Sequence, residues 1–145
     1  MARYVHATDK KGRFFIPARL RDGLGGLVFV TKSLDKGYLT LYTAERFETV
    51  RAQLSQLSGT DPVARQLRRE IVGEAIRCPL DNQGRIAVTE ELWSVIGVVP
   101  GDDVCVIDMV DHLQICAKLF YDRQQSEETP ITDLDLSDYD VKGIL

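Results

Sequence analysis

Asp9-Lys10-Lys11-Gly12-Arg13-Phe14-Phe15-Ile16-Pro17 is answered 72 residues later by Asp81-Asn82-Gln83-Gly84-Arg85-Ile86-Ala87-Val88-Thr89. The register holds without a gap through Leu20 and Leu92 to Gly25 and Gly97. An acid, a glycine and an arginine in this order, at the mouth of a β-run, describe a tight turn. Asp accepts backbone N–H bonds two residues on, and Gly supplies a positive φ. Two copies of one loop predict a pseudo-symmetric protein that grips something repetitive.

The flanking sequence repeats as well. Residues 3–8 and 75–80 read as strands leading into the two turns, and 13–16 and 85–88 as strands leading out. Pro17 opens a short helix over 18–21, which stops at the glycines of 23–26; its counterpart covers 90–96. Each copy then ends in a hairpin, over 27–31 and 38–42 in the first and 103–109 and 112–116 in the second. Phe47, Val50, Leu54 and Leu57 form one apolar stripe after the first hairpin. Asp61 caps a further helix with Pro62 at its first position, and Val63, Leu67 and Ile71 line one face of it. Lys118 to Gln125 reads as a shorter helix.

Strand alternation orients the loops. Phe14 and Ile16 share a face in the first copy, and Ile86 and Val88 share it in the second, so that face is the core. Arg13 and Arg85 therefore point away from it, beside turns where Gly12 and Gly84 let a partner approach closely. Asp9 and Asp81 stand across the turns and fix the loop or orient the arginine. A planar fork of five N–H donors suits phosphate or the O6/N7 edge of guanine, and Lys10 and Lys11 add point charges for phosphate. A lone Asp-x-x-Gly-Arg is a weak pattern, equally well explained by a bridge that merely holds a β-turn. Its recurrence in matching context makes it more specific. The copies are unequal, since Asn82 and Gln83 replace the two lysines, and the first loop is expected to dominate.

Charge distribution agrees. The chain has 145 residues and a net charge of −4. Residues 1–21 hold Arg3, Lys10, Lys11, Arg13, Arg19 and Arg21 against Asp9, a balance of +5. Residues 124–145 hold six acids against Lys142, a balance of −5. A basic end and an acidic end point to a polyanion-binding face with an acidic extension. Ile131, Leu134, Leu136, Tyr139 and Val141 punctuate that extension without a clean period, which reads as a flexible, solvating tail. Docking of the tail on the basic face, or on a partner, is the alternative.

The phrase at 9–21, the stretch Ala64-Arg65-Gln66-Leu67-Arg68-Arg69-Glu70-Ile71-Val72-Gly73-Glu74-Ala75 and the phrase at 80–86 together strongly resemble the MraZ family. These are bacterial transcriptional regulators built from two swapped-hairpin repeats related to AbrB. The resemblance covers roughly residues 1–123. It implies an α+β fold of two pseudo-symmetric AbrB-like repeats, over 4–50 and 74–123, with connecting helices at 51–73 and the acidic tail at 124–145. It also implies a repressor of the division and cell-wall gene cluster, binding repeated upstream sites on double-stranded DNA as a ring-shaped homo-oligomer. By motif position, Asp9, Lys11, Arg13, Asp81 and Arg85 would face DNA. The tail is a departure from the family pattern, and so is the missing lysine of the second loop.

Other readings have less behind them. His6 and His112 are the only histidines, in neither a nucleophile elbow nor a metalloprotease helix, so no catalysis is expected. Asp102, Asp103, Asp108 and Asp111 match no calcium loop, and a metal-dependent enzyme using them is a distant rival. Arg65, Arg68 and Arg69 are expected on a solvated or interface face, paired with Glu70 or Glu74, with phosphate contact as the alternative. Cys78, Cys105 and Cys116 fit buried thiols in a reducing cytosol. No cofactor, metal, membrane or small-molecule substrate is called for, and the expected location is the cytoplasm, on the nucleoid. The rival from another class is a protein-interaction or antitoxin-like module that uses its acidic tail.

Overall fold

The computed structural model describes residues 3–141. Among these residues, eight strands and five α-helices follow the order anticipated for two copies. The first copy contains β1 (Arg3–Ala7), β2 (Arg13–Phe15), α1 (Ala18–Arg21), β3 (Leu27–Lys32), β4 (Leu39–Thr43) and α2 (Ala44–Ser55). Helix α3 (Pro62–Leu67) runs into a π-helical turn at Arg68–Gly73. The second copy contains β5 (Ile76–Pro79), β6 (Arg85–Ala87), α4 (Glu90–Val95), β7 (Asp103–Asp108), β8 (Leu113–Ala117) and α5 (Lys118–Glu127).

Six strands form one sheet in the order β1-β7-β8-β4-β3-β5, and β2 pairs with β6 as a separate ribbon. Every pairing is antiparallel. The order is a palindrome under the 72-residue offset. It exchanges β1 with β5, β7 with β3, β8 with β4 and β2 with β6. Each copy thus lends its first strand to the hairpin of the other, β1 to β7 and β5 to β3, and neither closes its sheet alone. This is the swapped-hairpin, AbrB-like α+β architecture.

The period of two decides what lies between the layers. Val28, Val30, Leu39, Leu41, Val104, Val106, Leu113 and Ile115 face one side of the sheet and are buried. They meet Phe14, Ile16, Ile86 and Val88 from the ribbon, together with Leu92 and Trp93 from α4. The opposite side carries Phe29, Thr31 and Tyr42 and is covered by helices. Phe29 stacks on Phe47 of α2 with ring centroids 4.4 Å apart. Phe120 of α5 meets Tyr38 edge-on at 5.4 Å. The three cysteines are free and buried, and burial pushes the Cys78 and Cys116 thiols up to about 12.

Two expectations change in the helical connection. Asp61 does cap α3, accepting the Ala64 N–H at 3.3 Å. The helix, however, widens into a π turn after Leu67; Val63, Leu67 and Ile71 still line one groove, but Val63 is 64% exposed there. The widened turn brings the Ile71 carbonyl to the Thr31 hydroxyl and sets Glu70 and Glu74 on either side of the Lys32 ammonium. Arg68 accordingly pairs with neither glutamate. Its guanidinium donates to the carbonyls of Leu54, Ser55 and Leu57 at the end of α2, where orphan acceptors and the helix dipole favour a cation.

Beyond α5 a short 3-10 turn covers Ile131–Asp133, and residues 128–140 are exposed throughout. The last four residues of the proposed tail, 142–145, lie outside the described residues. Among the described residues no helix is long and apolar enough to cross a membrane.

Candidate nucleic-acid interface

The two loops are close copies in three dimensions. Asp9 Oδ1 accepts the N–H groups of Lys11 and Arg13, each at 2.9 Å, and Asp81 Oδ1 accepts those of Gln83 and Arg85, each at 2.9 Å. The Gly12 N–H returns to the Asp9 carbonyl at 3.1 Å, and the Gly84 N–H to the Asp81 carbonyl at 3.0 Å. The turns demand φ values of 73° at Gly12 and 78° at Gly84, which a side chain adopts only at a cost.

In each loop the carboxylate also takes its own arginine. Arg13 Nε donates to Asp9 Oδ2 at 2.7 Å, and Arg85 Nε to Asp81 Oδ2 at 2.8 Å. The turn-holding bridge is therefore real in both copies, and it uses the Nε side of the guanidinium. Among the described residues the two Nη groups of Arg13 have no hydrogen-bond partner. They form the outer edge of the fork, the edge that takes a phosphate or a guanine in two parallel bonds. Both carboxyls are held below the usual carboxylate range, chiefly by the arginine's backbone N–H, against a smaller opposing effect of burial.

The ribbon brings the arginines together. Its register pairs Arg13 with Ala87, Phe14 with Ile86 and Phe15 with Arg85. Phe14 and Ile86 face the core, so Arg13, Phe15, Arg85 and Ala87 share the outer face. Arg13 and Arg85 are diagonal neighbours there, at a spacing of about 7–8 Å for such positions. Arg85 Nη1 lies 4.0 Å from Asp9 Oδ2, a link from one loop to the other. The ladder continues past the strands: the Ile16 N–H meets the Gly84 carbonyl at 3.0 Å, and the Val88 N–H meets that of Gly12 at 3.3 Å.

The two arginines are not equivalent. Arg13 stands beside the small Ala87, and its side chain is 31% exposed. The Arg85 guanidinium lies 5.7 Å from the centroid of the Phe15 ring, and its side chain is 20% exposed. Lys10 and Lys11 are exposed beside Arg13, and Asn82 and Gln83 are exposed beside the second loop.

Sequence reasoning missed what lies beneath the loops. Trp93 and Arg21 occupy equivalent positions under the 72-residue offset, and each packs against the glycine of the other copy. Trp93 Nε1 donates to the Gly12 carbonyl at 3.0 Å. Arg21 lies against Gly84 and donates its Nε to the Ile16 carbonyl at 2.8 Å. Arg21 was visible only as one of six N-terminal cations. The signal that could have singled it out was its alignment with a tryptophan.

The aspartates of the second hairpin do not converge. Asp102 and Asp103 sit at the start of β7, whereas Asp108 and Asp111 sit at its far end, with Asp111 pairing to Arg46 and His112. Among the described residues no three His, Cys, Asp or Glu side chains are placed to hold a metal ion. A cleft of about 370 Å³, lined by residues including Tyr42, Leu54, Ile71 and Gln114, lies on the helix-covered side of the sheet, away from the loops.

A family model described as "MraZ protein, putative antitoxin-like" matches residues 1–70. A protein of Thermomicrobium roseum named transcriptional regulator MraZ is 39% identical over 98 residues, which span 68% of each chain. The chain belongs to the MraZ family. Proteins of the same name from Symbiobacterium thermophilum and Pelotomaculum thermopropionicum match at 36% and 33% identity. The first match covers 81% of this chain and 83% of its relative, and the second 94% and 97%. MraZ likeness therefore extends through the second copy.

Proposed function

We propose that this protein is a transcriptional regulator that binds double-stranded DNA through the outer face of the β2–β6 ribbon. The naming of its MraZ relatives as transcriptional regulators supports the regulatory role. The single observation that carries the DNA reading is the convergence of Arg13 and Arg85 on one exposed face, each oriented by its own aspartate. Arg13 reads a base edge or anchors on the backbone, Lys10 and Lys11 engage phosphates, and Arg85 is the weaker counterpart. Gly12 and Gly84 keep the turns tight and are packed on Trp93 and Arg21 beneath them, not open to a partner as the sequence suggested. The protein acts in the cytoplasm, on the nucleoid, as a repressor of the division and cell-wall gene cluster. A ring-like homo-oligomer of such ribbons engages repeated upstream sites, so that modest affinity per subunit becomes avidity.

Footprinting of the purified protein on its own upstream DNA tests this. Protection recurring at a fixed spacing is expected, and uniform cleavage at concentrations where the protein is fully folded would refute it. A second reading, a protein-interaction or antitoxin-like module, draws on the family description and on the exposure of Ile131, Leu134, Leu136 and Tyr139 in the acidic extension. It predicts that removing residues 124–145 abolishes the main partner interaction.

A further inference from the structure

Phe15 is 42% exposed at the middle of a face otherwise suited to polyanion. Its neighbours in the chain, Phe14 and Ile16, are buried at 1% and 0%. The period of two therefore fixes the ring outward, and it cannot retreat into the core without turning both neighbours out. Across the ribbon it is paired with Arg85, whose guanidinium braces it. The equivalent place in the second copy holds Ala87, so the face carries one ring, not two.

A phenyl ring gains nothing from a phosphate. In the major groove, which admits a two-stranded ribbon, thymine alone presents a methyl group, and Phe is among the side chains that contact it. The minor groove offers no such group. We propose that Phe15 is a specificity-determining residue that packs on the C5-methyl of thymine in the major groove, between the contacts made by Arg13 and Arg85. This inference rests on the DNA-binding reading above and goes further by naming the base and the groove.

The test uses the full-length protein and two duplexes. One carries the sequence immediately upstream of its own coding region, and the other has deoxyuridine in place of every thymine, which removes only the methyl groups. The unmodified protein is expected to bind the deoxyuridine duplex more weakly, about fourfold for each methyl contacted. Phe15→Ala is expected to bind the thymine duplex more weakly and to lose the difference between the two duplexes. Phe15→Leu, which keeps an apolar contact, is expected to retain part of it. A Phe15→Ala protein that keeps the full thymine preference overturns the inference. So does one that changes the assembly mass in light scattering while leaving that preference intact, since the ring would then face another copy of the chain. Arg13→Ala, run in parallel, separates the two readings. If the unmodified protein binds and Arg13→Ala weakens it, but thymine and deoxyuridine are equivalent, only the Phe15 role fails. If the unmodified protein binds neither duplex, both readings fail.

Discussion

Trp93 and Gly12 lie 81 residues apart in the chain and are joined by a hydrogen bond from the indole N–H to the glycine carbonyl, at 3.0 Å. The indole is 1% exposed and meets Phe14 edge-on at 5.7 Å, so it forms a rigid floor beneath the first loop. The second loop has no such floor. Its glycine rests on Arg21, a long and partly exposed side chain that can move. The swap that exchanges β1 and β5 between copies thus extends to the supports of the two loops.

Alanine substitution of the two glycines should expose this difference. A Cβ on Gly12 would lie 2.9 Å from Trp93 Nε1 and 3.0 Å from the Val88 carbonyl. A Cβ on Gly84 would lie 2.5 Å from Arg21, which can swing aside. Both substitutions incur a left-handed-backbone penalty of about 1–2 kcal/mol. Gly12→Ala adds displacement of a buried tryptophan and should be the more destabilising in urea unfolding, by at least about 1 kcal/mol. Equal midpoints for the two variants would refute the distinction between the floors.

The inequality of the arginines predicts unequal binding. Arg13 beside Ala87 has its outer fork open, whereas Arg85 is braced on Phe15 and drawn toward Asp9. Arg13→Ala should cost about 1–3 kcal/mol in binding of the upstream duplex if it makes a bidentate base contact, and Arg85→Ala less. Replacing Lys10 or Lys11 by Gln should instead reduce the dependence of binding on salt, by about one unit of slope for each phosphate no longer neutralised. Mobility-shift titrations at several salt concentrations measure all of these. The ranking fails if Arg85→Ala is the more damaging.

Acid should loosen the loops. The Asp9 and Asp81 carboxyls are depressed first by the backbone N–H groups of Arg13 and Arg85, then by the ion pairs with the same residues. A carboxyl whose folded value lies below its unfolded value stabilises the fold fully above the unfolded value, about 3.9 for Asp. That contribution is lost as pH falls through the depressed folded value. The unmodified protein should therefore lose melting temperature below about pH 4, and the Asp9→Asn, Asp81→Asn double variant should lose less over the same interval. Calorimetry from pH 7 to pH 2.5 decides it, and parallel acid limbs would remove the carboxylates from the explanation.

The sequence made the two turns legible because their geometry is local: an Asx-type hydrogen bond, a glycine with positive φ and a period of two that assigns Phe14 and Ile86 inward. It did not reveal that β2 pairs with β6, because register between strands 72 residues apart is set by a core assembled from both copies. For the same reason the pairing of Phe15 with Arg85 was invisible. Arg68 misled through proximity. Glu70 and Glu74 are near it in the chain, but the end of α2 offers orphan carbonyls nearer in space. Nothing local to Trp93 points to Gly12, 81 residues away, so its bond to that loop was not legible.

The acidic extension gives the sharpest discrimination between the two functional readings. Helix α5 is held to the fold by Phe120, which lies against Gly37 and Tyr38, and by Tyr121, whose ring sits 5.0 Å from the Arg3 guanidinium. After Glu127 the chain is exposed and negative through residue 140. A stop after Glu127 removes Glu128, Asp133, Asp135, Asp138 and Asp140 while sparing these α5 contacts. It should leave the melting temperature within about 2 °C, because none of the described residues it removes is buried. Affinity for the upstream duplex should stay the same or rise, since removing like-signed charge from a DNA-binding protein favours association and weakens with added salt. Titration of the truncated and full chains at low and high salt measures this. Loss of DNA binding on truncation would move the recognition element out of the ribbon and into the tail.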